Sequence, residues 1–192
     1  MTFKASGISV VAAVAISCSN TSNDAKRDVY TKLPDPCSLV SSPTVKRLTG
    51  SQAVPSPEPP FFAGKLRQSS CSWGSVSNSD RTIRVAVNFH ISGSASGGIS
   101  AAKKYLHAGG CPQSAGQCVE VSGLGDEGYR QFAANPTPQA IVIFRLKNLV
   151  VQVLYRDVRI AANGVAQGSS QFVFDQGVNI AREAATRLPK TA

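Results

Sequence analysis

The fold is decided by residues 140–155, which read Ala140-Ile141-Val142-Ile143-Phe144-Arg145-Leu146-Lys147-Asn148-Leu149-Val150-Val151-Gln152-Val153-Leu154-Tyr155. Two runs of β-favouring residues flank the pair Lys147-Asn148, and this pattern predicts a β-hairpin. Because both runs are almost continuously apolar, we expect them to be central strands of a sheet, buried at least partly on both faces.

The segments around the hairpin extend this sheet and add helices. Residues 81–91 alternate between apolar and polar side chains, which is typical of an antiparallel strand with one face in water. Apolar spacing and end signals predict helices over residues 42–50, 99–106 and 171–188. The sequence therefore predicts an α+β domain, an antiparallel sheet with helices packed on one face.

A proline-rich segment follows the first predicted helix. Pro55, Pro57, Pro59 and Pro60 predict an extended surface loop without regular hydrogen bonding. Phe61-Phe62 comes directly after it, and we expect one of the two rings to anchor in the core. Whether the other ring, or the proline-rich loop, forms an exposed binding patch is left open.

The first residues predict export. Residues 1–17 combine the basic Lys4 with a short apolar run over residues 8–16, as in a signal peptide. Ala15-Ile16-Ser17-Cys18 then resembles a bacterial lipobox, in which the cysteine receives a lipid. The alternative is an ordinary secretory signal that happens to contain a cysteine. We expect a lipidated tether over residues 18–34 and a single α+β domain over residues 35–192.

The five cysteines fit this interpretation. Assigning Cys18 to the lipid leaves an even set, suited to an oxidising compartment. Loop closure favours the nearest pairs, Cys37–Cys71 and Cys111–Cys118. A zinc site is the competing interpretation, but no C-x-x-C occurs and neither histidine has ligand spacing from a cysteine. We therefore predict two disulfides and no metal.

The charge of the chain narrows the class of partner. The 192 residues carry a formal net charge of +9, which favours anionic partners such as lipid headgroups and acidic envelope polymers. The lysines and arginines are spread along the chain, without a basic run interleaved with aromatics and without a nucleic-acid motif. We therefore expect no nucleic-acid partner.

No set of residues predicts catalysis. His90 falls on the polar side of a predicted strand and His107 near a helix C-terminus, where solvated or capping roles explain both. Asp126 and Glu127 are adjacent acids in a glycine-rich turn, and neighbours on extended backbone point to opposite faces. We expect Asp126 to hydrogen-bond the turn rather than to converge with Glu127. The sequence predicts neither a catalytic residue nor a cofactor.

Four motifs together resemble a known family. Pro34-Asp35-Pro36-Cys37-Ser38-Leu39, Cys71-Ser72-Trp73, Gly123-Leu124-Gly125-Asp126-Glu127 and Asn148-Leu149-Val150-Val151 occur in this order. In order and spacing they resemble the actinobacterial lipoproteins catalogued as domain of unknown function 3558, over roughly residues 33–188. Gly128 after Glu127 departs from the Ala that is frequent in that family. The resemblance implies a lipid-anchored protein with two disulfides and gives no activity.

Three functions are compatible with the sequence. The favoured one is a non-enzymatic binding module of the cell envelope, attached to the membrane through Cys18 and open to an anionic polymer or a protein partner. The alternatives are a carrier or chaperone for a small apolar or lipidic ligand, and an enzyme whose site the sequence does not expose. The oligomeric state is not predicted.

We expect the mature protein to begin with a lipidated Cys18. The short apolar run before it and the odd cysteine count motivate this prediction. Intact mass measurement of the protein extracted from membranes is the test. An unmodified Cys18, or a chain cleaved at another residue, would show that the segment is an ordinary secretory signal.

Overall fold

The computed structural model describes residues 30–50, 53–74, 81–91, 97–110, 118–133, 139–157 and 168–189. Its strands are β1 Pro55–Ala63, β2 Leu66–Gly74, β3 Arg81–His90, β4 Cys118–Glu120, β5 Glu127–Ala133, β6 Gln139–Leu146 and β7 Leu149–Asp157. They form one sheet in the order β1-β2-β3-β7-β6-β5-β4, and every neighbouring pair is antiparallel. The predicted hairpin is confirmed as β6–β7, and β7 is the central strand.

The described ranges also contain three α-helices: α1 Ser42–Thr49, α2 Gly97–Tyr105 and α3 Gly168–Arg187. The Ser41 side chain caps α1 by accepting a hydrogen bond from the Thr44 backbone N–H, so α1 begins at Ser42. Helix α2 continues into a π-helical turn, Leu106–Gly110. Among the residues that the structure describes, no helix is long and apolar enough to cross a bilayer.

The helices cover both faces of the sheet, so the prediction of helices on one face was wrong. One set of alternating strand residues shares a core with α1 and α3: Ile83, Val85, Val87, Phe89, Val142, Phe144, Leu149, Val151 and Val153. On the opposite face, Ala102 and Leu106 from α2 and its continuation pack against Ile143 and Val150. The antiparallel sheet and the α+β class are confirmed.

Helix α2 buries the Asn88–His90 end of the polar side of β3, whereas Arg84 on the same side is exposed as predicted. Asn88 and His90 are 1% and 7% exposed, although the alternation over β3 predicted that this side faces water. The His90 ring lies 5.2 Å from the Tyr105 ring of α2, centroid to centroid. A strand whose second face is covered by a helix but keeps polar residues has the same sequence pattern as a half-exposed strand. This ambiguity is the reason that the prediction failed.

The predicted bridge Cys37–Cys71 is present and joins the short 3₁₀ turn Pro36–Ser38 to β2. Cys71 is fully buried beside Trp73, which is 3% exposed. Cys118 is engaged in an interaction, while Cys111 lies outside the described residues. The pair Cys111–Cys118 therefore stays a prediction.

The folded domain includes residues before the predicted boundary at residue 35. Tyr30 is 6% exposed, and Leu33 packs against the core. The Tyr30 N–H donates to Oδ1 of Asn148 at 3.1 Å, and Nδ2 of Asn148 donates back to the Tyr30 carbonyl at 2.9 Å. Residues 30–34 were assigned to the tether because they are mostly polar, but these long-range contacts make them part of the domain.

We predict that Trp73→Ala lowers the free energy of unfolding by about 3–5 kcal/mol, as truncation of large buried aromatics does. Its indole packs in the main core next to the disulfide. Urea unfolding of the oxidised protein measures the loss, with Phe172→Ala as the control, since Phe172 is 45% exposed. A loss below 1 kcal/mol would show that Trp73 contributes little packing.

Candidate functional site

A buried arginine gathers both acids of the glycine-rich turn. Arg145 is 8% exposed and lies on β6. Its NH1 group is 2.9 Å from Oδ2 of Asp126, and its NH2 group is 2.8 Å from Oε1 of Glu127. The two carboxylates therefore converge on one guanidinium, and the expectation that they point apart was wrong. The chain bends at Asp126, before β5 begins, so strand alternation does not apply there.

The glycines make this approach possible. Gly123 and Gly125 have φ values of 71° and 65°, a region that favours glycine. A Cβ atom on Gly125 would collide with the carbonyl oxygen of Arg145. Asp126 also accepts a hydrogen bond from the backbone N–H of Lys147 at 2.8 Å, in the β6–β7 turn. The Asp126 side chain thus bonds the neighbouring hairpin turn, whereas the prediction gave it its own glycine-rich turn as the partner.

His107 joins the same cluster. Its Nε2 atom is 2.9 Å from Oε2 of Glu127, so this carboxylate bridges His107 and Arg145. Burial opposes ionisation of Glu127, but the hydrogen bond and charge of Arg145, with the charges of His107 and Lys103, hold its pKa below the ordinary value. His107 thus contacts a carboxylate from a π-helical turn, a contact that the expectation of a solvated or capping side chain did not include.

A histidine oriented by a carboxylate is also one component of an acyl-transfer site. Such a site further needs a hydroxyl or thiol nucleophile next to the free ring nitrogen. In the described ranges, the recorded contacts of His107 are Glu127 and the Tyr129 ring, whose centroid is 6.2 Å away. These contacts give His107 a structural role. His107 and Glu127 are two of the three groups that such catalysis would require, and the nucleophile would be the third.

His90 is buried rather than solvated. Burial lowers its pKa, so that the neutral imidazole is favoured. Within the described part of the chain, neither Nε2 of His90 nor Oδ1 of Asn88 has a hydrogen-bond partner. The ring is covered by Tyr105, and its backbone N–H donates to the carbonyl of Asn148 at 3.0 Å. These contacts assign His90 to the interface between β3 and α2.

Two cavities lie on the α1–α3 side of the sheet. One, of about 240 Å³, lies between α1 and β2 beside the bridge and Trp73. The other, of about 470 Å³, is an open polar groove between α3 and the β4–β5 edge, lined by residues that include Arg130 and Arg182. Over the described ranges, no three His, Cys, Asp or Glu residues are placed to hold a metal ion.

The proline-rich segment forms the edge strand β1, so the prediction of an irregular loop was wrong. Pro55 and Pro57 pair in register with Trp73 and Cys71, and the register shifts between Glu58 and Phe61. Proline is compatible with an edge strand because one side of that strand needs no N–H donor. The bulge accommodates the remaining two prolines of the segment.

Phe61 and Phe62 project from β1 into solvent. They are 57% and 63% exposed, so the expectation that one ring anchors in the core was wrong. The guanidinium carbon of Arg67 lies 5.7 Å from the Phe62 ring centroid. Lys65 is exposed in the turn that joins β1 to β2. We call Phe61, Phe62, Lys65 and Arg67 the hairpin corner.

The hairpin corner lies at the end of the sheet that also holds Tyr30, the first residue that the structure describes. Asn148 binds Tyr30 and also donates to the carbonyl of His90 at 3.3 Å. The next residue, Ile91, donates its N–H to the carbonyl of Lys65 at 2.8 Å. We call this end of the sheet, which is marked by Tyr30, Lys65, His90 and Asn148, the tether end.

Some site residues lie outside the described part, and others were missed. Cys18 falls outside it, as Cys111 does. Sequence reasoning gave no role to Arg145 or to the side chain of Asn148. The signal for Arg145 was present, because a single charge inside an otherwise apolar strand requires a buried partner.

Comparison with known proteins gives no family. No protein-family model matches the chain, and no curated protein sequence matches it. A partly similar solved structure is the extracellular domain of PknH from Mycobacterium tuberculosis, with 15% identity and a TM-score of 0.37. The similarity covers 81% of this chain and 97% of that chain. A TM-score this low supports no conclusion about this protein.

We predict that Glu127→Gln lowers the free energy of unfolding at pH 7 by about 1.5 kcal/mol, the low end for hydrogen bonds to charged groups, because Glu127 is partly exposed. Its folded-state pKa lies below the ordinary 4.5, so its contribution is present above pH 4.5 and is lost as the pH falls through the folded-state value.

Urea unfolding at pH 7 and pH 3 measures this difference. The gap between wild type and Glu127→Gln should narrow at pH 3. The control is Glu120→Gln, at an exposed position of β4, which should stay within about 0.5 kcal/mol of wild type at both pH values. A gap that widens on acidification would contradict the ion-pair account.

Proposed function

We propose that this chain is an exported lipoprotein, attached to the outer face of the cell membrane through Cys18, that acts as a non-enzymatic binding module of the envelope. The apolar N-terminal run followed by the lipobox-like Ala15-Ile16-Ser17-Cys18 supports export and lipidation. The Cys37–Cys71 bridge is in keeping with an oxidising compartment.

The observation that carries the binding function is the exposure of Phe61 and Phe62. Two adjacent aromatic rings, each more than half exposed, are costly to keep in water unless they contact a partner. Both stand on a hydrogen-bonded strand, so their position is fixed by the sheet. Adjacent strand residues point to opposite faces, so the two rings present apolar surface on both faces of the β1–β2 hairpin close to its turn. Exposed rings that a rigid element holds in this way are typical of an interaction surface.

The proposed membership of the family named domain of unknown function 3558 rests on the order and spacing of the four sequence motifs, whose described residues make the following contacts. Asp35 accepts a hydrogen bond from the Cys37 N–H in the 3₁₀ turn, and Trp73 packs in the core. Asp126 binds Arg145, and Asn148 ties Tyr30 to the sheet. Each described motif thus has a structural role, which favours a shared scaffold over a shared catalytic site.

The carrier alternative has less support from the cavities. A pocket for a small ligand usually has a volume of roughly 300–1,000 Å³ and a mostly apolar lining. The cavity beside Trp73 measures about 240 Å³, and the larger groove is lined mainly by charged and polar residues. Neither cavity matches an apolar or lipidic ligand, whereas the hairpin corner presents its apolar surface outward.

We predict that Phe61→Ser combined with Phe62→Ser abolishes complementation of a deletion strain, while the protein remains folded and exported. Both positions are exposed, so stability should change by only about 0.5 kcal/mol. Phe172→Ser is the matched control, because Phe172 is also exposed but lies on α3, and it should complement fully.

The same strain tests the enzyme alternative. His107→Gln removes the ring that a carboxylate-oriented histidine mechanism would need and leaves the hairpin corner intact. It should complement when folded. A folded His107→Gln protein that fails, beside a Phe61→Ser, Phe62→Ser protein that works, would overturn the binding-module proposal.

A further inference from the structure

The geometry of the tether end constrains which surface can face the membrane. Tyr30, the first described residue, is bound at this end through Asn148. Twelve peptide units separate it from Cys18 in the sequence, a length that spans at most about 40 Å when fully extended. If Cys18 carries the lipid, the chain enters the domain from the membrane side at this edge.

The hairpin corner belongs to the same edge. Ile91 follows β3 directly and bonds to the carbonyl of Lys65, so the β1–β2 turn lies beside the end of β3. His90, the last residue of β3, in turn bonds to Asn148. Phe61 and Phe62 lie within three residues of the turn glycine, Gly64. The two exposed rings and the chain entry point therefore share one end of the sheet.

The chemistry of the hairpin corner matches the interface of an anionic bilayer. Phe61 and Phe62 supply apolar rings, while Lys65 and Arg67 are exposed cations next to them. Aromatic rings beside basic side chains are the combination that peripheral proteins place at the headgroup boundary. The two acids near this end, Asp126 and Glu127, are matched by two cations, Arg145 and Lys147, so they do not oppose binding to an anionic surface.

We propose that the hairpin corner is a second membrane contact, in which Phe61 and Phe62 insert at the headgroup boundary of an anionic phospholipid leaflet and Lys65 and Arg67 bind its phosphates. This inference rests on the proposed lipid anchor. Because the anchor makes the second contact intramolecular, even weak insertion is effective. The contact fixes the orientation of the domain and directs the opposite end of the sheet, with the Gly74 end of β2, away from the membrane.

The test places a photoreactive benzoylphenylalanine at residue 62 of the full chain, purified from membranes and reconstituted into vesicles of 70% phosphatidylcholine and 30% phosphatidylglycerol. The matched control carries the same group at residue 172, an exposed Phe on α3. Irradiation followed by intact mass measurement should give phospholipid adducts at residue 62, at least fivefold more than at residue 172.

The charge requirement is tested with the same label. Lys65→Glu combined with Arg67→Glu should reduce the adduct yield at residue 62 by at least tenfold, since each basic residue near an anionic surface is worth roughly a fivefold change. Vesicles of pure phosphatidylcholine should give a comparable decrease. A yield that is unchanged by both would overturn the proposed role of the two cations.

The outcomes separate this inference from the proposed function. Equal lipid adduct yields at residues 62 and 172, or no adduct at either, would overturn the membrane contact. Protein adducts at residue 62 in intact cells, without lipid adducts, would also overturn it while leaving the binding-module function in place. Failure of Cys18 lipidation is detected independently by the mass of the unirradiated protein.

Discussion

The side chain of Asn148 is completely buried and makes three hydrogen bonds, one with the Tyr30 N–H and two with the carbonyls of Tyr30 and His90. It thereby joins the β6–β7 turn, the end of β3 and Tyr30 at one point. Loss of this amide would leave buried backbone groups without partners, which costs more than the bonds themselves contribute. The position of Tyr30 relative to the hairpin corner depends on this side chain.

Local sequence patterns correctly predicted the elements that are determined by neighbouring residues. The hairpin around Lys147-Asn148 follows from two β-favouring runs that flank a two-residue turn, the C-terminal helix from helical spacing, and the Cys37–Cys71 bridge from loop length. The position of α2 does not, because periodicity gives the face that a strand presents and not what covers it. The prediction of an irregular loop at the prolines of β1 failed for a related reason, because proline is compatible both with an irregular loop and with an edge strand.

The sequence did not predict the cluster of Arg145 and His107 with the two acids, for a different reason. Asp126 and Glu127 were correctly placed in a glycine turn, but their partner Arg145 is separated by 18 to 19 positions, and His107 comes from another element. Pairing across such separations is set by strand register, which follows from the whole sheet. The exposed rings at Phe61-Phe62 were equally undetermined, since a Phe-Phe pair fits a core and a surface alike.

The two edge strands of the sheet affect whether closely packed molecules can pair with one another. A bare strand edge can recruit another chain through its unpaired N–H and C=O groups. Here β4 spans only Cys118–Glu120, and β1 carries Pro55, Pro57 and Pro59 at alternate positions, where the nitrogens have no hydrogen to donate. In the described part of the chain, both borders of the sheet therefore offer few backbone N–H groups to a neighbouring molecule. Where copies are crowded side by side in a plane, this disfavours extension of the sheet from one copy to the next.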